Sequence, residues 1–355
     1  MNNNDKMFQK EIVILCNTMQ GEGWTQEEVD EGFNNIKTLE TQILEKGINA
    51  TTYFVSTSKE LEKVLRKYDP AKTVIFNWCE ELDGVNNSFH LAPQLLEKNG
   101  FAYTGSDTEN LQFTLDKVKV KKTLIKEKLS TPAYNVYTSL TEEINHWNIF
   151  PALVKPALEH CSFGITRDSV VDNPEQLKKQ VVKIMETYKG PAYVEDFIDG
   201  TEYNIAIWGN EDLEILPLRA IDYKDFEDYH DRLCNFDSKW LTNSDAYKKT
   251  QPYFVNNLDS KFKRTLESLA IKTYKALNCK DYARVDIRTR EGIPYVLDVN
   301  SNPDITENGG FVQSAMEMGI NYGEVIIKLC EIALERVEAY QYSSIKSSTT
   351  YYNSN

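Results

Sequence analysis

At 355 residues the chain exceeds what one hydrophobic core organises, since single cores stop growing near ~250–300 residues, so two or three packed units are expected. Apolar residues at 41% and charged ones at 26% argue against disorder. The formal net charge of −14 argues against a nucleic-acid or anionic-membrane partner, because both need clustered Lys and Arg. A small-molecule partner is favoured, and even an anionic one is tolerated where a few lysines and a metal reverse the field inside a cleft.

The six cysteines (Cys16, Cys79, Cys161, Cys234, Cys279, Cys330) include no C-x-x-C pair, and most lie in apolar runs such as Ile12-Val13-Ile14-Leu15-Cys16. This is the pattern of buried free thiols in a reducing compartment. The first thirty residues lack a basic start leading into an apolar stretch, and no window approaches the ~20 apolar residues of a membrane helix. A cytoplasmic location is expected.

In chain order, the apolar pattern predicts strands at Glu11–Cys16, Ala50–Val55 and Thr73–Asn77, with helices at Glu27–Lys46 and Lys59–Tyr68 between them. Such βαβαβ alternation implies a parallel sheet with helices on its faces. Gly21-Glu22-Gly23-Trp24-Thr25-Gln26 imitates a dinucleotide fingerprint but carries Gln26 where the sixth position needs Gly or Ala, and it lies several residues past the strand. A lysine-rich amphipathic helix is expected over Leu111–Leu129, ended by Pro132, with most of its lysines in water. Strands follow at Ala152–Lys155, Ile165–Val170, Ala192–Phe197 and Tyr203–Trp208, with a helix near Pro174–Tyr188. A helix at Lys261–Leu277, a hairpin at Ala283–Asn300 and a helix at Tyr322–Tyr340 complete the ordered chain, while Gln341–Asn355 lacks apolar periodicity and reads as frayed.

The hairpin carries the densest chemistry. Alternation places Ala283, Val285 and Ile287 on one face of the first strand and Arg284 and Asp286 on the other. On the second strand, Leu297 and Val299 are expected in the core and Asp298 and Asn300 on the polar face. A turn at Arg290–Gly292 that pairs Thr289 with Ile293 sets Arg284 opposite Asp298 and Asp286 opposite Val296. Two carboxylates, an amide oxygen and a guanidinium are thereby gathered, and such oxygen-only ligands suit Mg²⁺.

The run Asp298-Val299-Asn300-Ser301-Asn302-Pro303 resembles the E-x-N-x-x-P motif of D-alanine–D-alanine ligases and their ATP-grasp relatives. Asp116-Lys117, Val154-Lys155-Pro156, the loop Glu159–Ile165, the stretch Val194–Ile198 with Gly200-Thr201-Glu202, and Asp237-Ser238-Lys239-Trp240 match further motifs in the family's order. Phe76-Asn77 and Tyr103-Thr104-Gly105-Ser106 extend the resemblance to roughly Glu11–Leu334. It implies an ATP-grasp fold of mixed α/β and α+β class: a Rossmann-like N-terminal parallel sheet (residues 1–106), a central subdomain (107–200) and a C-terminal subdomain with the hairpin (201–341) clamping ATP, then a disordered tail (342–355).

The resemblance also implies roles. Lys117, Lys155 and Lys239 meet the triphosphate; the stretch Glu195, Asp196, Phe197 and Ile198 holds the adenine and Glu202 the ribose; Ser162 belongs to the loop over the phosphates. Asp286, Asp298 and Asn300 hold magnesium, two ions or manganese in its place, and Arg284 stabilises an oxyanion. The implied reaction is ATP-dependent joining of a small-molecule carboxylate to an amine, both of them amino acids, by a homodimer. The region Asn17–Gly23 lacks the family's glycine-rich stretch and its glutamate, Cys161 replaces a serine, Asp298 replaces a glutamate, and Asn308-Gly309-Gly310-Phe311 replaces a serine–leucine pair near the second substrate. Altered amino-acid substrates are therefore expected, with D-alanine–D-alanine ligase and an inactive nucleotide-binding regulator as alternatives.

Overall fold

The computed structural model describes residues 10–18, 26–85, 87–140, 146–159, 162–235, 238 and 243–352. Strands β1 (Glu11–Asn17), β2 (Ala50–Val55), β3 (Thr73–Trp78) and β4 (Ala102–Tyr103) form a parallel sheet in the order β2-β1-β3-β4. Helices α1 (Gln26–Glu45), α2 (Ser58–Leu65) and α3 (Leu91–Lys98) connect them. β1 reads as one apolar run because both its faces are covered: Ile12, Ile14 and Cys16 share a core with α1, while Val13 and Leu15 share another with α2 and α3. The expected βαβαβ start is present. The residues imitating a dinucleotide fingerprint fall almost entirely outside the described residues.

The single helix expected over Leu111–Leu129 is two, α4 (Thr108–Thr114) and α5 (Lys117–Lys126). Asp116 causes the break, its carboxylate accepting from the amides of Val118 (3.0 Å) and Lys119 (3.1 Å) and so capping a new helix. A second sheet follows in the order β5-β8-β6-β7, from β5 (Tyr134–Tyr137), β6 (Ala152–Pro156), β7 (Val170–Val171) and β8 (Ala192–Asp196), backed by α6 (Pro174–Tyr188). The strand expected at Ile165–Val170 shrinks to β7, preceded by a 3₁₀ turn at Arg167–Ser169. There the Ser169 hydroxyl accepts from the Thr166 amide at 3.0 Å, taking a donor that a strand would pair.

The third sheet runs β12-β11-β9-β13-β14, with β10 beside β9. Its strands are β9 (Glu202–Trp208), β10 (Glu214–Ile215), β11 (Arg219–Ile221), β12 (Tyr253–Phe254), β13 (Tyr282–Arg290) and β14 (Ile293–Asn300). Helix α7 (Asp245–Lys249) is short, and α8 (Ser260–Ala276) seals one face through Leu266 and Ala270 against Ile205, Val285, Ile287 and Val296. The other face packs Ala206, Trp208 and Tyr282 into the core of the first sheet at one end and carries Arg284 and Asp286 beyond it.

Helices α9 (Gly310–Met316) and α10 (Tyr322–Tyr352) return to the first sheet, where Phe311, Val325, Ile326 and Leu329 pack with Ile12, Ile14 and Leu39. α10 outruns its expected end at Tyr340 and takes in most of the stretch expected to fray; no glycine or proline follows Gly323 to stop it. Buried Asp281 fastens the units, accepting from the Gly105 amide (2.9 Å) and from Asn210 (3.0 Å) and pairing with Arg336 of α10 at 3.1 Å.

Candidate active site

β13 alternates as expected, with Ala283, Val285 and Ile287 fully buried on the core face and Arg284 and Asp286 opposite. The register differs from the expected one. Glu291 (φ 53°) and Gly292 (φ 75°) form a two-residue turn of positive φ, so Arg290, not Thr289, pairs with Ile293. Arg284 therefore stands opposite Asn300 and Asp286 opposite Asp298. A bulge after Asp286 leaves Leu297 as the extra residue, which lets Val296 as well as Val299 reach the core while Asp298 and Asn300 keep the polar face. Leu297 is thus not the core residue that plain alternation made it, and the carboxylates lie closer than the expected register placed them.

Asp286 is the hub of this face. Arg284 donates Nε to its Oδ1 (2.8 Å) and Nη2 to its Oδ2 (2.9 Å), Asn204 of β9 donates to Oδ1 (2.8 Å), and Asn300 donates to Oδ2 (3.0 Å). Burial works against the Arg284 charge, but Asp286 outweighs it and holds the guanidinium protonated. Asp298 accepts from the Val299 amide at 3.0 Å. Two facing carboxylates and a neighbouring amide oxygen form an oxygen-only donor set that fits a hard divalent cation. Among the described residues no three His, Cys, Asp or Glu side chains form a closed cage, so such an ion would complete its shell with water or substrate oxygens.

The second sheet supplies the facing wall. Lys155 of β6 pairs with Glu195 of β8 at 2.7 Å, and Lys121 of α5 pairs with the other carboxylate oxygen at 3.0 Å, all three being buried. Burial alone would raise Glu195, but the two lysines bring it down to about 2. Burial lowers Lys121, and it opposes the charge on Lys155 too, where Glu195 prevails. The wall meets the hairpin at Thr131, whose hydroxyl accepts from Lys121 at 2.6 Å and donates to the Val296 carbonyl at 2.8 Å. Lys117, at the start of α5, donates to the Glu159 carbonyl at 2.6 Å, beside the loop that holds Ser162. Ser162 has φ 63° and donates to the Cys234 carbonyl at 2.9 Å.

The stretch expected to hold adenine is stitched to β13. Asp196 forms a two-pronged pair with Arg290 (2.9 and 2.6 Å), so its side chain serves the scaffold, and the Ile198 carbonyl accepts from Arg288 at 3.1 Å. Phe197 is buried with Arg288 against its ring. Glu202 pairs with Arg288 at 3.2 Å and accepts from Tyr223 at 2.9 Å. Lys239 lies outside the described residues, as do Asp237, Trp240, His160 and Cys161. The other five thiols are free, and all but half-buried Cys234 are buried.

Lys121, Asn204 and Arg219 were not among the expected site residues. Asn204 was visible in the alternation Glu202, Asn204, Ala206, and Arg219 as the lone charge in the run Leu216–Ile221. Lys121 gave no signal, being one of several lysines on its helix.

A family model described as the D-ala D-ala ligase C-terminus matches residues 123–331, more than half of the chain. The chain belongs to the D-alanine–D-alanine ligase family. This ATP-grasp ligase is 34% identical over 265 residues to the uncharacterized protein y4sG of Sinorhizobium fredii, across 74% of this chain and 75% of that one. It is 31% identical over 262 residues to the D-alanine–D-alanine ligase of Vesicomyosocius okutanii, across 71% of this chain and 83% of the relative. A solved D-alanine–D-alanine ligase from Bacillus anthracis, complexed with ATP, shares the fold with a TM-score of 0.70 at 21% identity, covering 93% of this chain and 99% of that one. Among the described residues no helix is long and apolar enough to cross a membrane.

Proposed function

We propose that this ligase joins a carboxylate to an amine through an acyl phosphate formed from ATP, on amino-acid substrates other than two D-alanines, in the cytoplasm. The observation that carries this reading is the polar face of β13 and β14, with Arg284, Asp286, Asp298 and Asn300, set against the Lys155–Glu195–Lys121 wall. Altered substrates follow from the changes at Asn17–Gly23 and Asn308–Phe311, which fall in other stretches of the sequence than the motifs assigned to the nucleotide.

In this reading Lys117, Lys155 and Lys239 neutralise the phosphates, the Ser162 loop covers them, the backbone of Glu195–Ile198 meets the adenine, and Glu202 accepts from the ribose hydroxyls. Asp286, Asp298 and Asn300 would hold magnesium, which when bound supplies charge neutralisation at the phosphate oxygens. The donor carboxylate attacks the γ-phosphorus and ADP leaves. The amine then attacks the acyl carbon, phosphate departs, and the amine loses a proton. Arg284 uses Nε and Nη2 on Asp286, so the Nη1 hydrogens are the ones it turns to the tetrahedral oxyanion.

An amino-acid screen for ATP-dependent phosphate release, with product masses read by mass spectrometry, tests the proposal. Turnover is expected with an amino acid or pair other than D-alanine alone, and Arg284→Ala should keep ATP affinity by calorimetry while losing roughly 10²–10³-fold in turnover. Robust release with D-alanine as sole amino acid would favour the activity for which the curated relatives are named. ATP binding that no acid and amine convert to turnover would leave a nucleotide-binding regulator.

A further inference from the structure

Arg219 stands on β11, outside the groups assigned above. The register links it to Asn204 of β9, Asn204 to Asp286 of β13, and Asp286 to Asp298 of β14, so these four residues form one row across the sheet. Directly opposed residues of antiparallel strands point to the same face, so Arg219 shares the face of the catalytic groups.

Its neighbours among the arginines are paired: Arg284 with Asp286, Arg288 with Glu202, Arg290 with Asp196 and Arg232 with Asp199. Arg219 has no carboxylate partner among the described residues, and its Nε is buried without a hydrogen bond. Its guanidinium carbon lies 5.7 Å from the centre of the Phe254 ring, and Arg284 is close enough that the two positive charges oppose each other. Withdrawing a guanidinium from water beside a second one is unfavourable unless an anion joins them.

Gly310 lies beside it: a Cβ at this position would stand 2.8 Å from Arg219 Nη1, so a larger residue here would displace the tip of the guanidinium. This is the stretch Asn308–Phe311, where the sequence departs from the family's serine–leucine pair. The row also has a direction. Asp298, at the β14 end, lies toward Lys155, whereas Arg219 sits three strands away at the other end, about 14 Å along the sheet. The reacting acyl carbon, beside Arg284, falls between them.

We propose that Arg219 binds a free carboxylate on the amine substrate, which makes that substrate an amino acid or peptide and not a simple amine. This inference rests on the ligase reading above. Its place beside Gly310 puts this assignment in the stretch where the chain departs from the family's pattern.

The test compares each amino-acid acceptor found by phosphate release with its own carboxamide, in the wild-type protein and in Arg219→Ala. The wild type should use the carboxamide at least roughly tenfold less well in kcat/KM, and Arg219→Ala should raise the acceptor KM roughly 30-fold or more and treat acid and amide alike. ATP affinity by calorimetry should not move. Arg219→Lys, which keeps the charge but loses the planar fork, should fall between the two. Equal use of acid and carboxamide by the wild type, preference for simple amines, or a variant that still discriminates, would overturn the assignment and leave the ligase reading intact. If Arg219→Ala does not fold, the wild-type comparison and Arg219→Lys decide. Absence of turnover with every acceptor, despite bound ATP, would remove the ligase reading and this assignment with it.

Discussion

Lys121 shows how one buried charge organises the wall around Glu195. Its ammonium donates to Thr131 at 2.6 Å as well as to Glu195, and it is 3% exposed on a helix whose lysines were expected in water. The Glu195 carboxyl lies at about 2 in the fold against an ordinary 4.5, so the stabilisation it contributes is complete above 4.5 and is lost as pH falls toward 2. Lys121→Met removes one of its two cations, raising the folded value and leaving Lys155 alone to balance the charge. We expect a loss of about 3 kcal/mol at neutral pH by urea unfolding, with acid unfolding beginning at a higher pH than in the wild type. Lys155 was legible because V-K-P is a local pattern. Lys121 was not, because the Asp116 cap restarts the helix and only packing decides which lysine turns inward.

At the scale of elements, the stretch Asp196–Glu202 and the end of β13 act as one piece. Gly200 is pressed against β13 so closely that a Cβ there would lie 1.8 Å from the Thr289 carbonyl oxygen. On either side, Thr289 donates to the Thr201 carbonyl at 3.1 Å and Arg290 grips Asp196. Gly200→Ala must push the stretch off the strand, which should cost about 1–3 kcal/mol by thermal unfolding and weaken ATP binding in calorimetry. ATP affinity unchanged in a folded variant would separate this stretch from the nucleotide. The hairpin was legible from alternation on both strands, and its register was not. A two-residue turn and one bulge, each worth a single position, changed every cross-strand pair on the polar face.

Across the whole molecule, the first sheet, the loop at Asn210 and helix α10 meet at Asp281, which is 0% exposed and bound by Gly105, Asn210 and Arg336. Asp281→Ala strands the Arg336 guanidinium in the interior and should cost about 3–5 kcal/mol in urea unfolding, with the first and third sheets losing their common anchor. A loss below 1 kcal/mol would mean that the joint is held by the apolar core around Phe311 and Val325 alone.

The sequence by itself determined the alternating start, the polar face of the hairpin, the ordered motifs and hence the family, because each depends on residues near one another along the chain. Tertiary structure decided which cross-strand partners meet, that Lys121 is buried, that Asp196 serves the scaffold, and that Arg219 joins the row of Asn204, Asp286 and Asp298 beside Gly310. Those outcomes depend on strand order and on contacts between residues tens to hundreds of positions apart, for which local periodicity carries no signal.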